Sequence, residues 1–148
     1  MEAVAVFHTR SVHGTVVCTQ EKRGVIIKAQ FTRLPPGLHG FHIHRAGDLR
    51  GEGCLGACDH FHKGSPSVHG GPPGSTQHRH TGDLGNITLQ KKPFTYMLEN
   101  LSVEELFGRS FIIHADEDDY GMGDKPDSHT TGHSGKRIAC AIIGRVSC

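Results

Sequence analysis

Residues 14–19 run Gly-Thr-Val-Val-Cys-Thr, a β-branched stretch bounded by glycine and charge, and residues 25–31 repeat the character as Val-Ile-Ile-Lys-Ala-Gln-Phe. Glu21-Lys22-Arg23-Gly24 separates them as a turn, so the two runs predict a β-hairpin. Leu34-Pro35-Pro36-Gly37 then interrupts the sheet, because proline has no N–H to donate, and a strand is expected over 38–44. Strand character returns at 83–90, 95–100, 110–115 and 138–143. Helical spacing is nearly missing: only Ser102-Val103-Glu104-Glu105-Leu106 has a capped start, and it allows one turn. Residues 45–79 and 116–136 follow neither period and are rich in glycine and polar side chains. Roughly eight short strands with turn signals between them predict an all-β antiparallel sandwich or barrel. Loops this long inside a compact domain are usually functional or disordered. Because His60 and His69 lie in the first, it is expected to be organised by metal.

Composition narrows this picture. The 148 residues suit one domain, 1–148, and the 20 glycines and 7 prolines match a chain of turns and loops. A formal charge of +1 excludes a bulk field for nucleic acid or a membrane surface. The N-terminal Met1-Glu2-Ala3-Val4-Ala5-Val6 has no basic segment followed by an apolar one, so a cytoplasmic location is expected. Five cysteines, Cys18, Cys54, Cys58, Cys140 and Cys148, are an odd count, and spacing alone does not set their pairing. Histidine, at 13, is the outlier.

Six histidines and an aspartate, His42, His44, His60, His69, His80, Asp83 and His114, carry the candidate chemistry. An H-x-H on a strand, as at His42 and His44, puts both imidazoles on one face. His80 and Asp83 stand three apart across a glycine turn that can wrap one ion. Imidazole suits copper and zinc, and seven ligand-type residues exceed what one tetrahedral zinc uses. The surplus points to a binuclear centre. Competing motifs fail. Cys54-x3-Cys58-x-His60-x-His62 is too compressed for a zinc finger. Asp116-Glu117-Asp118-Asp119 lacks the alternating ligands of a calcium loop, although one of these acids can orient metal-bound histidines. No Gly-x-Ser-x-Gly elbow is present.

Several stretches together resemble the copper/zinc superoxide dismutases. They are Gly37-Leu38-His39-Gly40-Phe41-His42-Ile43-His44, Gly53-Cys54, Asp59-His60-Phe61, His69-Gly70-Gly71 and His80-Thr81-Gly82-Asp83-Leu84-Gly85-Asn86. Gly108 to Asp119 and Arg137 to Gly144 complete the set, in order along nearly the whole chain. The resemblance implies an eight-stranded Greek-key β-barrel with two long functional loops. It implies copper held by His42, His44, His60 and His114, and zinc held by His60, His69, His80 and Asp83, one of each per subunit. His60 would bridge them and act in catalysis with Arg137, which would attract the anionic substrate. Asp118 would link His42 and His69, Cys54 and Cys140 would form a disulfide, and His39 would be structural. The implied activity is disproportionation of superoxide to dioxygen and hydrogen peroxide at a redox-active copper beside a redox-inert zinc. The implied partners are a second subunit and a copper chaperone, with no nucleic acid and no membrane. A dismutase-like copper-handling domain is the alternative, though no Cys-x-x-Cys donor is present.

Departures from the family pattern are specific. Cys58-Asp59 replaces Gly-Pro before His60, and His62, expected to be exposed, replaces Asn. Thr130 replaces a lysine in the second loop, with His129 and His133 nearby, which weakens the expected steering of an anion. Arg145 stands where the dimer interface is usually apolar.

Overall fold

The computed structural model describes residues 1–147, and Cys148 lies outside them. Among the described residues nine strands form: β1 (Glu2–His8), β2 (His13–Gln20), β3 (Gly24–Arg33), β4 (His39–His44), β5 (Asp83–Ile87), β6 (Phe94–Glu99), β7 (Ser110–His114), β8 (Arg137–Ile142) and β9 (Gly144–Arg145). They make two antiparallel sheets, ordered β6-β3-β2-β1-β9 and β5-β4-β7-β8. The chain crosses from β3 to β4, returns from β5 to pair β6 with β3, and crosses again to pair β7 with β4. Each return beside an earlier strand is a Greek-key connection.

The hairpin of β2 and β3 forms as its sequence predicts, with a bulge at His13/Gly14. The first strand was not among the predicted runs. Ala3, Ala5 and Phe7 face inward from β1, but Val4 and Val6 on the other face are also apolar. That blurs the alternation a half-buried strand should show. The ninth strand arises because the last run changes sheets. Ile143 leaves the β8 ladder, its N–H donating to Arg109 O at 2.9 Å, and Gly144–Arg145 then pairs with β1. Helix is confined to short turns at Leu55–Ala57, Val103–Leu106 and Ser128–Thr131. The second carries the predicted cap, with Ser102 and Glu105 each satisfying the other's backbone N–H.

The core lies between the sheets. Phe41 stacks on Phe111 with ring centroids 5.3 Å apart and meets Phe31 edge-on at 5.9 Å. Strand β4 is buried at every position, because its two faces do different work. Phe41 and Ile43 point into the hydrophobic cluster, while His42 and His44 point to the opposite face. There the two long loops cover the four-stranded sheet. That second cover is what turns a strand face that would otherwise be wet into a dry site.

Candidate metal centre

Strand pairing places most of the histidines. His42 lies opposite Ile112 and His44 opposite Ser110 across the β4–β7 ladder, and His114 closes β7. His60 comes from the first loop but is placed as if on a strand. Arg45 N donates to Asp59 O at 2.9 Å and Phe61 N to Ile43 O at 2.8 Å, so the loop extends the edge of β4. Asp83 opens β5 opposite His42. His69 is held through its N–H, which donates to His129 O in the second loop at 2.8 Å.

These residues gather into two groups that share His60. His42, His44, His60 and His114 make one; His60, His69, His80 and Asp83 make the other, with donor atoms of each group within 4.8 Å of one another. Asp118 joins His42 and His69 in a third cluster. Of the predicted site residues, all seven ligand-type residues and Asp118 are brought together. Arg137 stands at the edge of the site: its Nη1 donates to Cys54 O at 2.8 Å and its Nη2 to Cys58 O at 2.5 Å. Cys54 and Cys140 are joined by a disulfide, Cα to Cα 6.2 Å.

At His42, His44, His114 and His80 the outer ring nitrogen is committed and the inner one is bare. His44 Nδ1 donates to Cys58 O at 2.7 Å and His114 Nδ1 to Gly135 O at 3.0 Å. His42 Nε2 donates to Asp118 Oδ2 at 2.6 Å, and His69 Nε2 to Asp118 Oδ1 at 2.7 Å. His80 Nε2 donates to Ser67 O at 3.1 Å. Among the described residues, the buried polar side-chain atoms without a partner are His42 Nδ1, His44 Nε2, His60 Nε2, His114 Nε2, His80 Nδ1 and Tyr96 Oη. The first four are one nitrogen from every member of the first group. A buried polar atom left unpaired costs free energy, and convergent lone pairs on neutral imidazoles are what a transition metal needs. In the second group Asp83 Oδ1 sits 2.8 Å from His60 Nδ1 and 2.9 Å from His69 Nδ1. Three imidazoles and one carboxylate are a tetrahedral zinc set, and four imidazoles suit copper. The residues present therefore fit both metals.

Charge follows burial. Desolvation lowers His42 and His44 well below the ordinary imidazole range and pushes His114 down to about 4. Burial would also lower His69, but the Asp118 and Asp83 carboxylates outweigh it and lift His69 to about 9. Burial would raise Asp83, yet hydrogen bonds from His60, His69 and His80 hold it well below the usual carboxylate range.

Supporting residues went unread in the sequence. Asn86 Nδ2 donates to Asp118 O at 2.9 Å and its Oδ1 accepts from Asp118 N at 2.7 Å, fixing the backbone beneath that carboxylate. Gly132, at φ 74°, leaves room for it: a Cβ there would fall 2.1 Å from Asp118 Oδ1 and 2.4 Å from His69 Nε2. The carbonyls of Ser67, Cys58 and Gly135 orient histidines and leave no trace in side-chain identity. Cys58 adopts φ 66°, ψ −147°, a region essentially reserved for glycine. Its carbonyl receives both His44 and Arg137, which gives that conformation a purpose. His62 departs from the exposed position expected: it is half-buried, accepting at Nδ1 from Thr81 N at 3.1 Å and donating from Nε2 to Ser65 O at 2.6 Å. It pins the first loop and belongs to neither metal group. His39 is buried against His114 O and Pro35 O, likewise outside both groups. Thr130 and His129 line a cavity of about 150 Å³ that reaches His60 past Asp59, Ser67 and His80. Arg145 lies over the Phe107 ring, 4.7 Å from its centroid.

An antiparallel Greek-key sandwich whose loops close on two donor groups sharing one imidazole is the architecture of a metal-binding protein of the all-β class. The family profile described as copper/zinc superoxide dismutase matches residues 12–143, and the chain belongs to that family. Similar relatives include a superoxide dismutase [Cu-Zn] of Paramecium bursaria Chlorella virus 1, 41% identical over 90% of this chain and 73% of that protein. An extracellular superoxide dismutase [Cu-Zn] of Haemonchus contortus is 47% identical over 82% of this chain and 68% of its own length. A solved structure titled as the clock protein EA4 superposes with TM-score 0.85 at 37% identity, covering 98% of this chain and 94% of that one.

Proposed function

We propose that the protein is a superoxide dismutase, converting superoxide to dioxygen and hydrogen peroxide. The observation that supports this most is the set of four unpartnered imidazole nitrogens, one from each of His42, His44, His60 and His114, joined through His60 to a second group of three histidines and an aspartate. His42 Nδ1, His44 Nε2, His60 Nε2 and His114 Nε2 would hold copper; His60, His69 and His80 through Nδ1, with Asp83, would hold zinc, one of each per subunit. Bound copper supplies one-electron redox chemistry, and bound zinc supplies fixed charge and geometry. Asp118 orients His42 and His69 together, so the two donor groups cannot move independently. His60 Nε2, buried and unpartnered, is the atom that would hold a proton for the leaving peroxide. Arg137, fixed by the Cys54 and Cys58 carbonyls, offers a cation to the incoming anion.

The working unit is a single domain, 1–148, acting as a homodimer that receives copper from a chaperone. No helix among the described residues is long and apolar enough to cross a membrane. The cytoplasmic expectation rests on the N-terminal residues alone, whereas relatives from Haemonchus contortus and Brugia pahangi are named extracellular. Fractionation of cells making the chain decides between the two.

Metal analysis and a superoxide assay test the whole reading. Loaded protein should contain copper and zinc in equal amount and destroy superoxide over many turnovers. The clock-protein title of the structural neighbour favours one other reading, a metal-holding domain without turnover. Fully loaded protein that consumes superoxide only stoichiometrically would establish that reading instead.

A further inference from the structure

Two stretches have the form Asn-x-Ser/Thr with a residue other than proline between: Asn86-Ile87-Thr88 and Asn100-Leu101-Ser102. That spacing is the acceptor pattern for an N-linked oligosaccharide. The fold treats the two asparagines in opposite ways.

Asn86 is half-buried in β5, and both polar atoms of its amide are used on the backbone of Asp118, at 2.9 and 2.7 Å. Its neighbour Gly85 is packed so closely that a Cβ would fall 2.8 Å from Pro72. A sugar on Asn86 Nδ2 would have to leave through the surface that the second loop covers. It would hold Asp118 away from His42 and His69. Asn100 is the reverse case. It is exposed in the turn after β6, at φ 56°, a left-handed conformation that asparagine tolerates better than most residues. Its backbone is anchored at both ends, N donating to Arg23 O at 2.8 Å and O accepting from Lys63 Nζ at 2.9 Å. Its side-chain amide has no hydrogen-bond partner among the described residues, unlike that of Asn86. Leu101 is buried and Ser102 caps the next turn, so the ordering contacts around Asn100 lie on the protein side of it.

We infer that Asn100 is an N-glycosylation acceptor whenever the chain passes through a secretory lumen, and that Asn86 stays bare in every folded copy. In the transfer, Asn100 Nδ2 forms a bond to the anomeric carbon of an oligosaccharide carried on a lipid diphosphate. The bond from that carbon to the diphosphate oxygen breaks, and the lipid diphosphate leaves with the electron pair. The amide proton passes to a base of the host transferase. The transferase reads the tripeptide on unfolded chain, so it can meet both asparagines. Folding then selects, because only the copy with Asn86 free closes its second loop over the histidines.

The test uses the full chain carrying a cleavable secretory leader in a eukaryotic host. The secreted, metal-loaded protein is treated with peptide N-glycosidase in heavy-oxygen water, which marks each formerly modified asparagine as labelled aspartate. Peptide mass spectrometry should find the label on Asn100 alone, one oligosaccharide per chain. Asn100→Asp should be secreted without sugar and with unchanged dismutase activity, since aspartate also accepts the left-handed turn; Asn100→Gly repeats that arm should the first variant not fold. An unlabelled Asn100 in the secreted protein, or label on Asn86 in its folded fraction, overturns the inference. The label is read by mass, so it stands apart from whether the protein turns over superoxide.

Discussion

At the residue scale the centre is built by committing one ring nitrogen of His42, His44, His114 and His80 to a neighbour, which leaves the other bare. Asp118 carries the heaviest share, because one carboxylate receives both His42 and His69. Asp118→Asn keeps the volume but offers only one carbonyl oxygen and presents N–H groups to a second donor. It should weaken zinc binding by roughly 10–100-fold, as measured by competition with a chromophoric chelator. Undiminished affinity would mean that the Asp118 bridge does not support the ligands. In the proposed function Arg137 would act at longer range, through a field rather than a ligand bond. Arg137→Ala should lower the superoxide rate about tenfold and flatten its dependence on ionic strength. A reduced rate with the original salt slope would assign Arg137 to holding the Cys54–Cys58 turn instead of steering. On that proposal, with Thr130 where a lysine is usual, more of the steering would rest on this one guanidinium.

At the element scale, β4 joins core to site. Its alternate residues are Phe41 and Ile43 in the hydrophobic cluster and His42 and His44 in the centre, so packing on one face sets ligand geometry on the other. Phe41 touches rings from β3, β6 and β7, at centroid distances from 5.3 to 6.3 Å. Phe41→Ala should cost about 3–5 kcal/mol of folding stability, seen in denaturant unfolding of the metal-free protein. A loss under about 1 kcal/mol would show that the sheets close over the cavity. The loops are held differently from the strands. The first is tied by backbone pairing at His60, by the disulfide from Cys54 to Cys140 and by Lys63 to Glu105 at 2.9 Å. The disulfide spans 86 residues, a closure that the chain-entropy account values at about 4–5 kcal/mol.

At the scale of the whole molecule, gathering neutral histidines under two loops makes stability depend on pH. Burial holds His42 and His44 well below their ordinary range and His114 down to about 4. The unfolded chain takes up protons at these residues below about pH 6.5, while the fold resists until lower pH. The unfolded state then binds more protons, so stability falls as pH drops from about 6.5 toward 4. His69 runs the other way: raised to about 9, its contribution is full below about pH 6.5 and is lost as pH climbs through 9. Four depressed histidines, with His60 also lowered by burial, outweigh the one raised. His114 alone should cost on the order of 2 kcal/mol between pH 7 and pH 5. Urea unfolding of chelator-treated protein at those two values checks this, and an unchanged midpoint would contradict it. Much of the molecule was legible beforehand. Period-two runs announced the β2–β3 hairpin and the inward and outward faces of β4. Side-chain chemistry marked the seven ligand-type residues, and the family resemblance sorted them into the two groups that the fold gathers. Strand β1 was hidden because valines on its outer face mask the alternation. The break at Ile143 was hidden because a change of sheet depends on which strand waits on the other side. By itself the chain determined element type and donor chemistry, since both depend on side chains and short-range spacing. Only the tertiary structure decided which nitrogen of each histidine is bare, that His62 pins a loop, and that Asn86 and Gly132 serve Asp118. Those outcomes rest on carbonyls, N–H groups and close approaches between segments far apart in sequence, which no side-chain pattern encodes.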